Sequence, residues 1–308
     1  MEARVLLTAA ELDLFSDLEQ APSTAAELAA RRGYALGPLI HLLDAITALG
    51  LLQKSTGVYR PAPQACPLLC RDSETSVLPM LLHQSNLWRS WSTLTDRIDP
   101  DGAQQRQPAW TESFIGAMHV IARGQAPELV KKVGLGEARR LLDVGGASGT
   151  YTEAFVNESS ELRATLFDRP EVIELARQRL HDAPCAARVE FAAGDFLTDP
   201  LPTGHDLAWL SAIIHSCSPE EICCLFTNVA QALLPGGRIV VRDYVMNSDR
   251  TAPAGGALFA VNMLVNTKGG STYTLDEIGG WLEGAGFSRV RQIAATETMD
   301  SLVEAFLA

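Results

Sequence analysis

Two groups of residues in the second half of the chain have the types and spacing to do chemistry. The first is the run Leu141-Leu-Asp-Val-Gly-Gly-Ala-Ser-Gly149. Gly145, Gly146 and Gly149 let an apolar strand turn sharply into a helix and bring bare backbone close to a ligand. A lone glycine loop is a weak signal, but acidic residues follow it at informative places. Asp168 closes the next apolar run roughly 20 residues on, where a carboxylate accepts hydrogen bonds from ribose hydroxyls. Asp195 follows Gly194 after the third run, placed to accept from an adenine amine while Phe196 packs on the ring. The G-x-G-x-x-G spacing of a pyrophosphate loop is absent, and Asp143 just before the glycines would repel phosphate. An acidic side chain there suits a cationic ligand with an amino group and a sulfonium. The loop therefore favours S-adenosylmethionine over a nicotinamide dinucleotide.

The second group is His215 and Asp243. Methyl transfer from a sulfonium to a hydroxyl is an in-line displacement, so a protein must align the partners and remove a proton. Histidine, titrating near neutrality, suits the second task. Of the six histidines (41, 83, 119, 181, 205 and 215), only His215 directly follows a buried apolar run, Leu210-Ser-Ala-Ile-Ile. That puts it at the carboxyl edge of a sheet, where open α/β folds bind ligands. Asp243 closes the neighbouring run on the same rim. A carboxylate bonded to one imidazole nitrogen orients the ring and leaves the other nitrogen to take the proton. His119 is a second candidate, nearer a substrate than a proton relay, and His41 reads as surface or interface.

These groups need a sheet beneath them, and the pattern supplies one. From residue 139 short apolar runs (141–144, 164–167, 189–191, 207–214 and 238–241) alternate with amphipathic stretches, notably 170–180 and 219–234. Such alternation predicts a parallel, Rossmann-like α/β sheet covered on both faces. A helix over 274–285, closed by Gly286, and a strand over 290–294 end the pattern. Residues 258–266 form an apolar helix carrying Asn262 and Met263, either buried or lining a pocket. The first sixty residues read as helices over 3–18, 24–33 and 38–50, then a two-stranded wing. The second of these helices opens on a Thr24…Glu27 capping box. Residues 79–134 are a helical connector rich in Trp88, Trp91, Trp110, Phe114, Met118 and His119. Most of these belong to packing, and a few, with Trp110, Phe114, Met118 and His119 the candidates, to a pocket wall. The expected division is 1–78, 79–134 and 135–308.

Three helices and a wing invite a DNA-binding reading, which charge opposes. The chain of 308 residues carries a net charge of −12. Its first sixty residues hold five basic and seven acidic side chains, whereas a phosphate-reading surface is basic. No apolar run approaches the roughly 20 residues of a membrane helix. The start, Met-Glu-Ala-Arg, lacks a signal peptide's pattern, so the cytoplasm is the expected compartment. The six cysteines make no paired C-x-x-C motif, so a metal is not indicated.

With these residues in place, the segment from Asp143 onward resembles the class I methyltransferase fold. The whole chain, including Leu42-Leu-Asp-Ala-Ile-Thr-Ala-Leu-Gly-Leu-Leu52, is similar to the plant and bacterial small-molecule O-methyltransferases. The resemblance implies a mainly helical winged-helix dimerisation domain followed by the catalytic sheet, and a homodimer; charge and the lack of a long apolar run predict no nucleic-acid or membrane partner. It assigns S-adenosylmethionine to Gly145, Gly149, Asp168, Asp195 and Phe196, with Asp143, Gly146 and Ser211 beside it. His215 and Asp243 fall on the family's catalytic histidine and its acidic partner, and the segment around Asn262 and Met263 lines the acceptor pocket. Three departures stand out. Ser216-Cys217 replaces an Asp-Trp pair, Ser211 replaces a basic residue, and Thr272 stands where plant members carry a second Glu. The expected activity is methyl transfer to a hydroxyl of a small aromatic or polyketide-like acceptor. A non-methylating rearrangement or decarboxylation, N- or C-methylation and a DNA-binding regulator are the alternatives.

Overall fold

The computed structural model describes residues 1–99 and 110–308. They form two bodies, one of Met1–Gln107 with Met246–Thr272 and one of Pro108–Val245 with Tyr273–Ala308. The division is spatial rather than sequential. The stretch read as a connector is shared between the bodies, and a late segment returns to the first one.

The first body opens with helices Glu2–Glu11, Leu14–Gln20, Ala25–Arg32 and Leu36–Ala48. The first apolar stretch, expected as one helix, breaks where Asp13 takes a left-handed φ of +54°. The next helix starts from Asp13, whose Oδ1 accepts from Ser16 Oγ at 2.7 Å. The capping box forms as expected, with Thr24 Oγ1 accepting from Glu27 N at 3.2 Å and Glu27 accepting from Thr24 N at 2.8 Å. The wing is a three-stranded antiparallel sheet, with Val58–Pro61 between Ser23–Thr24 and Leu52–Ser55. Leu14, Phe15, Leu18, Leu28, Leu43 and Ile46 are fully buried at its centre. Each such side chain contributes about 1.5–3 kcal/mol over an exposed one. Helices Leu78–Trp91 and Leu94–Ile98 follow, and the returning helix Ala254–Asn266 adds Leu258 to this core. Among the described residues no helix is long and apolar enough to cross a membrane.

The second body is built on seven strands: β1 Arg140–Val144, β2 Arg163–Asp168, β3 Val189–Ala193, β4 His205–Ser211, β5 Leu233–Asp243, β6 Phe287–Ala294 and β7 Ser301–Leu307. Their order is β6-β7-β5-β4-β1-β2-β3. The first five are parallel, and β7 runs antiparallel between β5 and β6. Period-2 alternation sends Leu141, Trp209 and Val240 into one face core and Leu142, Leu210 and Val241 into the other. Helices Pro170–Leu180 and Pro219–Ala232 match their expected ranges closely. Strand β7 was not legible, because Glu304 interrupts its apolar run. That carboxylate is buried at 2% exposure and pairs with Arg238 and Arg291. From β1 the chain moves to β2 and β3 on one side, then to β4 and β5 on the other. The carboxyl ends of β1 and β4 therefore flank the switch point, where such sheets form a ligand crevice.

Candidate active site

The glycine-rich loop leaves β1 at that switch point. Gly145 (φ +66°) and Gly149 (φ +71°) hold left-handed conformations that side chains resist. A Cβ on Gly146 would lie 2.7 Å from Leu166 Cγ, and one on Gly149 would lie 2.7 Å from Leu180 Cδ1. Across the bare face of Gly145 stand Ile213 and the edge of the Phe196 ring. Asp168 closes β2 and fastens the loop, since its Oδ2 accepts from Ala147 N and its Oδ1 from Arg169 N, both at 2.8 Å. Burial raises its pKa above the ordinary carboxylate value, against the pull of those two amides. Asp195 is exposed and its Oδ1 accepts from Leu197 N at 2.9 Å. Bare backbone at a turn, with carboxylates closing β2 and following β3, offers acceptors for hydroxyls and an amine. That set of acceptors fits the hydroxyls and amine of S-adenosylmethionine.

Asp143 occupies a different place from the one expected. It is 1% exposed, with Oδ2 accepting from Thr152 Oγ1 at 2.5 Å and its carboxyl carbon packed under Gly146. Burial pushes its pKa up to about 7. It supports the loop from below instead of facing solvent.

His215 does not continue β4. The strand ends at Ser211, Ala212 takes φ +58°, and a 3-10 turn over Ile214–Ser216 carries the histidine. The turn faces Asp243 at the end of β5. His215 Nδ1 lies 3.0 Å from Asp243 Oδ1 and 2.9 Å from Oδ2, and the His215 backbone N–H reaches Oδ2 at 3.3 Å. Tyr244 N also donates to Oδ1, at 2.8 Å. A carboxylate accepts only, so Nδ1 carries the proton and the basic lone pair is on Nε2. Both residues are buried, at 9% and 2% exposure. Tyr273, 3% exposed, donates its hydroxyl to the Cys217 carbonyl at 2.5 Å and so anchors the chain just after the turn.

Ser211 ends β4 with its Oγ accepting from Arg242 Nη1 at 3.1 Å. The basic side chain that the resemblance expects at 211 is absent, yet a guanidinium reaches the same point from β5. Strand alternation puts Arg242 on the face opposite Asp243, where Asp300 pairs with it and the Tyr151 ring lies beneath it. The sequence gives Arg242 no signal as part of this site, because its partner Asp300 lies in a loop with no pattern of its own.

The remaining candidates divide between the bodies. His119, on helix Trp110–Ala122, has Nδ1 2.8 Å from Thr150 Oγ1, the first residue of the helix after the glycine loop. Burial, with Arg179 and Arg123 nearby, lowers its pKa. Phe114 (48% exposed) and Met118 lie four residues apart on one face of that helix. The Trp110 side chain lies outside the described ones. Asn262 and Met263 belong to the first body, on helix Ala254–Asn266, where Asn262 Oδ1 accepts from Asn266 Nδ2 at 3.1 Å.

Comparison with known proteins accords with this geometry. The O-methyltransferase domain family matches residues 100–288, and the O-methyltransferase dimerisation domain matches residues 1–71. A 3-hydroxy-5-methyl-1-naphthoate 3-O-methyltransferase from Streptomyces sahachiroi is 32% identical over 95% of this chain and 88% of its own. A family 2 O-methyltransferase from Planctomyces limnophilus, solved with apigenin, is 27% identical with a TM-score of 0.81, covering 100% of this chain and 93% of its own. Human N-acetylserotonin methyltransferase, solved with S-adenosylmethionine, is 25% identical with a TM-score of 0.60, covering 99% of this chain and 94% of its own. The chain belongs to the O-methyltransferase family, with that family's class I sheet and N-terminal dimerisation domain. It is an S-adenosylmethionine-dependent methyltransferase.

Proposed function

We propose that the enzyme methylates a hydroxyl of a small, flat, aromatic or polyketide-like molecule, with His215 as general base and Asp243 as its orienting partner. The observation that carries this reading is the two-oxygen grip of Asp243 on His215 Nδ1 at the carboxyl rim of the sheet. The grip aims Nε2 and stabilises the imidazolium that forms when the acceptor's proton arrives. When bound, S-adenosylmethionine supplies an electrophilic methyl on a sulfonium. Asp168 would hold its ribose and Asp195 and Phe196 its adenine, beside the loop of Gly145, Gly146 and Gly149. Arg242, ion-paired with Asp300, would hold the Ser211 hydroxyl in place at the end of β4. Phe114, Met118 and His119 would line the acceptor side, with Trp110 a further candidate on the same helix; the resemblance also assigns the segment of Asn262 and Met263 to acceptor binding. The acceptor class rests on the chain's likeness to a hydroxynaphthoate methyltransferase and to a relative solved with a flavone.

The test is product analysis with a panel of phenolic naphthoates, flavones and polyketides, followed by His215→Ala on the best acceptor. Methylation of an oxygen, with turnover lowered by about 10²–10⁴-fold and S-adenosylhomocysteine affinity retained, supports the reading. Methyl transfer to nitrogen or carbon, or full turnover in His215→Ala, sinks it.

We also propose that the enzyme works as a homodimer. An apolar groove of about 840 Å³ in the first body, lined by Leu6, Leu81, Leu87, Trp88 and Trp91, supports this, with Trp88 and Trp91 50% and 68% exposed. Light scattering on the purified chain gives the mass of two chains if this holds and of one if it does not.

A further inference from the structure

A second chemical cluster lies in the first body and has no part in the reaction above. Cys66 and Cys70 stand at the two ends of the short helix Cys66–Leu69, with their Sγ atoms 3.2 Å apart. Glu19, on helix Leu14–Gln20, brings a carboxylate oxygen to the pair, and all three ligand atoms lie within 4.8 Å of one another. Among the described residues no hydrogen bond or ion pair engages the Glu19 carboxylate. A surface cleft of about 620 Å³ opens on the cluster, lined by Glu19, Cys66, Arg60, Gln53 and Ser73. It gives an ion and a water molecule a way in.

The cluster is held in place by its surroundings. Arg71, next to Cys70, donates its backbone N–H to Ser16 Oγ at 2.8 Å, and its guanidinium pairs with Asp13 at 2.7 Å. Both partners belong to the start of the helix that carries Glu19, so Cys70 and Glu19 share one support. At the other end Cys66 N donates to the Ala62 carbonyl at 3.2 Å. Sequence reading found no metal pattern because Glu19 comes from a distant helix and a lone C-x-x-x-C spacing is not diagnostic.

We propose that Cys66, Cys70 and Glu19 form a binding site for a thiophilic divalent cation, Zn²⁺ in the first instance, with water from the cleft as fourth ligand. Two soft sulfurs and one carboxylate are a donor set that Zn²⁺ accepts in tetrahedral geometry. Zn–S bonds of about 2.3 Å and a Zn–O bond of about 2.0 Å place the donors roughly 3.5–3.8 Å apart, so closure needs shifts of about an ångström or less. On binding, two S–H bonds give way to two S–Zn bonds and both protons leave to water. Bound metal would fasten the cysteine helix to the Glu19 helix and so stiffen the dimerisation domain.

The test uses the untagged full-length chain, reduced and then dialysed against Zn²⁺, with metal counted by elemental analysis. The remaining cysteines, Cys185, Cys217, Cys223 and Cys224, stay in every variant as an internal control. Wild type is expected to hold one Zn²⁺ per chain and to melt higher with Zn²⁺ than without it. The double variant Cys66→Ala, Cys70→Ala is expected to lose both effects, and Glu19→Gln to weaken binding at least tenfold. Cd²⁺ added to wild type is expected to give a thiolate charge-transfer band that Glu19→Gln shifts, a readout that needs no cysteine variant to fold. Equal zinc content in wild type and double variant, no zinc in wild type, or a Cys66–Cys70 disulfide in the reduced preparation each overturns the proposal.

Discussion

Asp243 grips the His215 ring with both carboxylate oxygens at 3.0 and 2.9 Å, and also receives the His215 backbone N–H at 3.3 Å. One side chain thus fixes the turn that carries the histidine and the tautomer of its ring. An amide at 243 keeps one acceptor oxygen and the volume but removes the charge that stabilises an imidazolium. Asp243→Asn is therefore expected to lower kcat by about 10²-fold or more while KM for S-adenosylmethionine stays near wild type. Steady-state kinetics read this, and a variant with unchanged kcat removes Asp243 from the proposed mechanism.

Asp168 holds the Ala147 amide, and in the proposed function its remaining lone pairs accept from ribose hydroxyls. Asp168→Ala is expected to weaken S-adenosylhomocysteine binding by about 1.5–3 kcal/mol, the range for hydrogen bonds to a charged group. Calorimetry on the purified chain measures it. Affinity within twofold of wild type would show that the carboxylate serves the loop alone.

Much of this arrangement is legible in the sequence, for identifiable reasons. The parallel strands announce themselves as short apolar runs because both of their faces are buried, and the glycine loop and Asp168 sit at spacings that chemistry imposes. His215 is found from its place after such a run, although the strand ends four residues earlier and Ala212 turns the chain with a positive φ. Nothing in an Ala-Ile-Ile sequence signals that turn, since the contact that enforces it, Asp243, lies on another strand. Strand β7 escapes because Glu304, a residue of surfaces, is buried there against two arginines. Asp143 lies buried under the loop, because spacing gives a residue's neighbourhood but not the direction of its side chain.

Gly149 combines a left-handed φ of +71° with Leu180 and Leu166 at 2.7 and 2.9 Å from the point a Cβ would occupy. Gly149→Ala meets both the backbone penalty and the overpacking penalty. It is expected to cost roughly 2–4 kcal/mol of folding stability and to weaken cofactor binding through the displaced loop. Urea unfolding with parallel calorimetry checks both, and stability within about 1 kcal/mol of wild type would mean that the loop yields without strain, by roughly the margin of a well-tolerated core change.

Asp143 makes the loop's stability depend on pH. Its folded pKa of about 7, raised by burial, exceeds the value of about 3.9 for an unfolded chain. Between those values the folded state holds a proton that the unfolded state has released, so its contribution to stability is full below about pH 4 and falls as pH rises through about 7. Asn at 143 has no such proton to lose and keeps an oxygen for the Thr152 hydroxyl. The stability of Asp143→Asn relative to wild type is therefore expected to rise from pH 5 to pH 8. Urea unfolding of both proteins at the two pH values gives the difference directly, with other titrating groups cancelling between them. A difference that does not rise between the two pH values would mean that Asp143 is not the carboxyl that holds a proton in the folded enzyme.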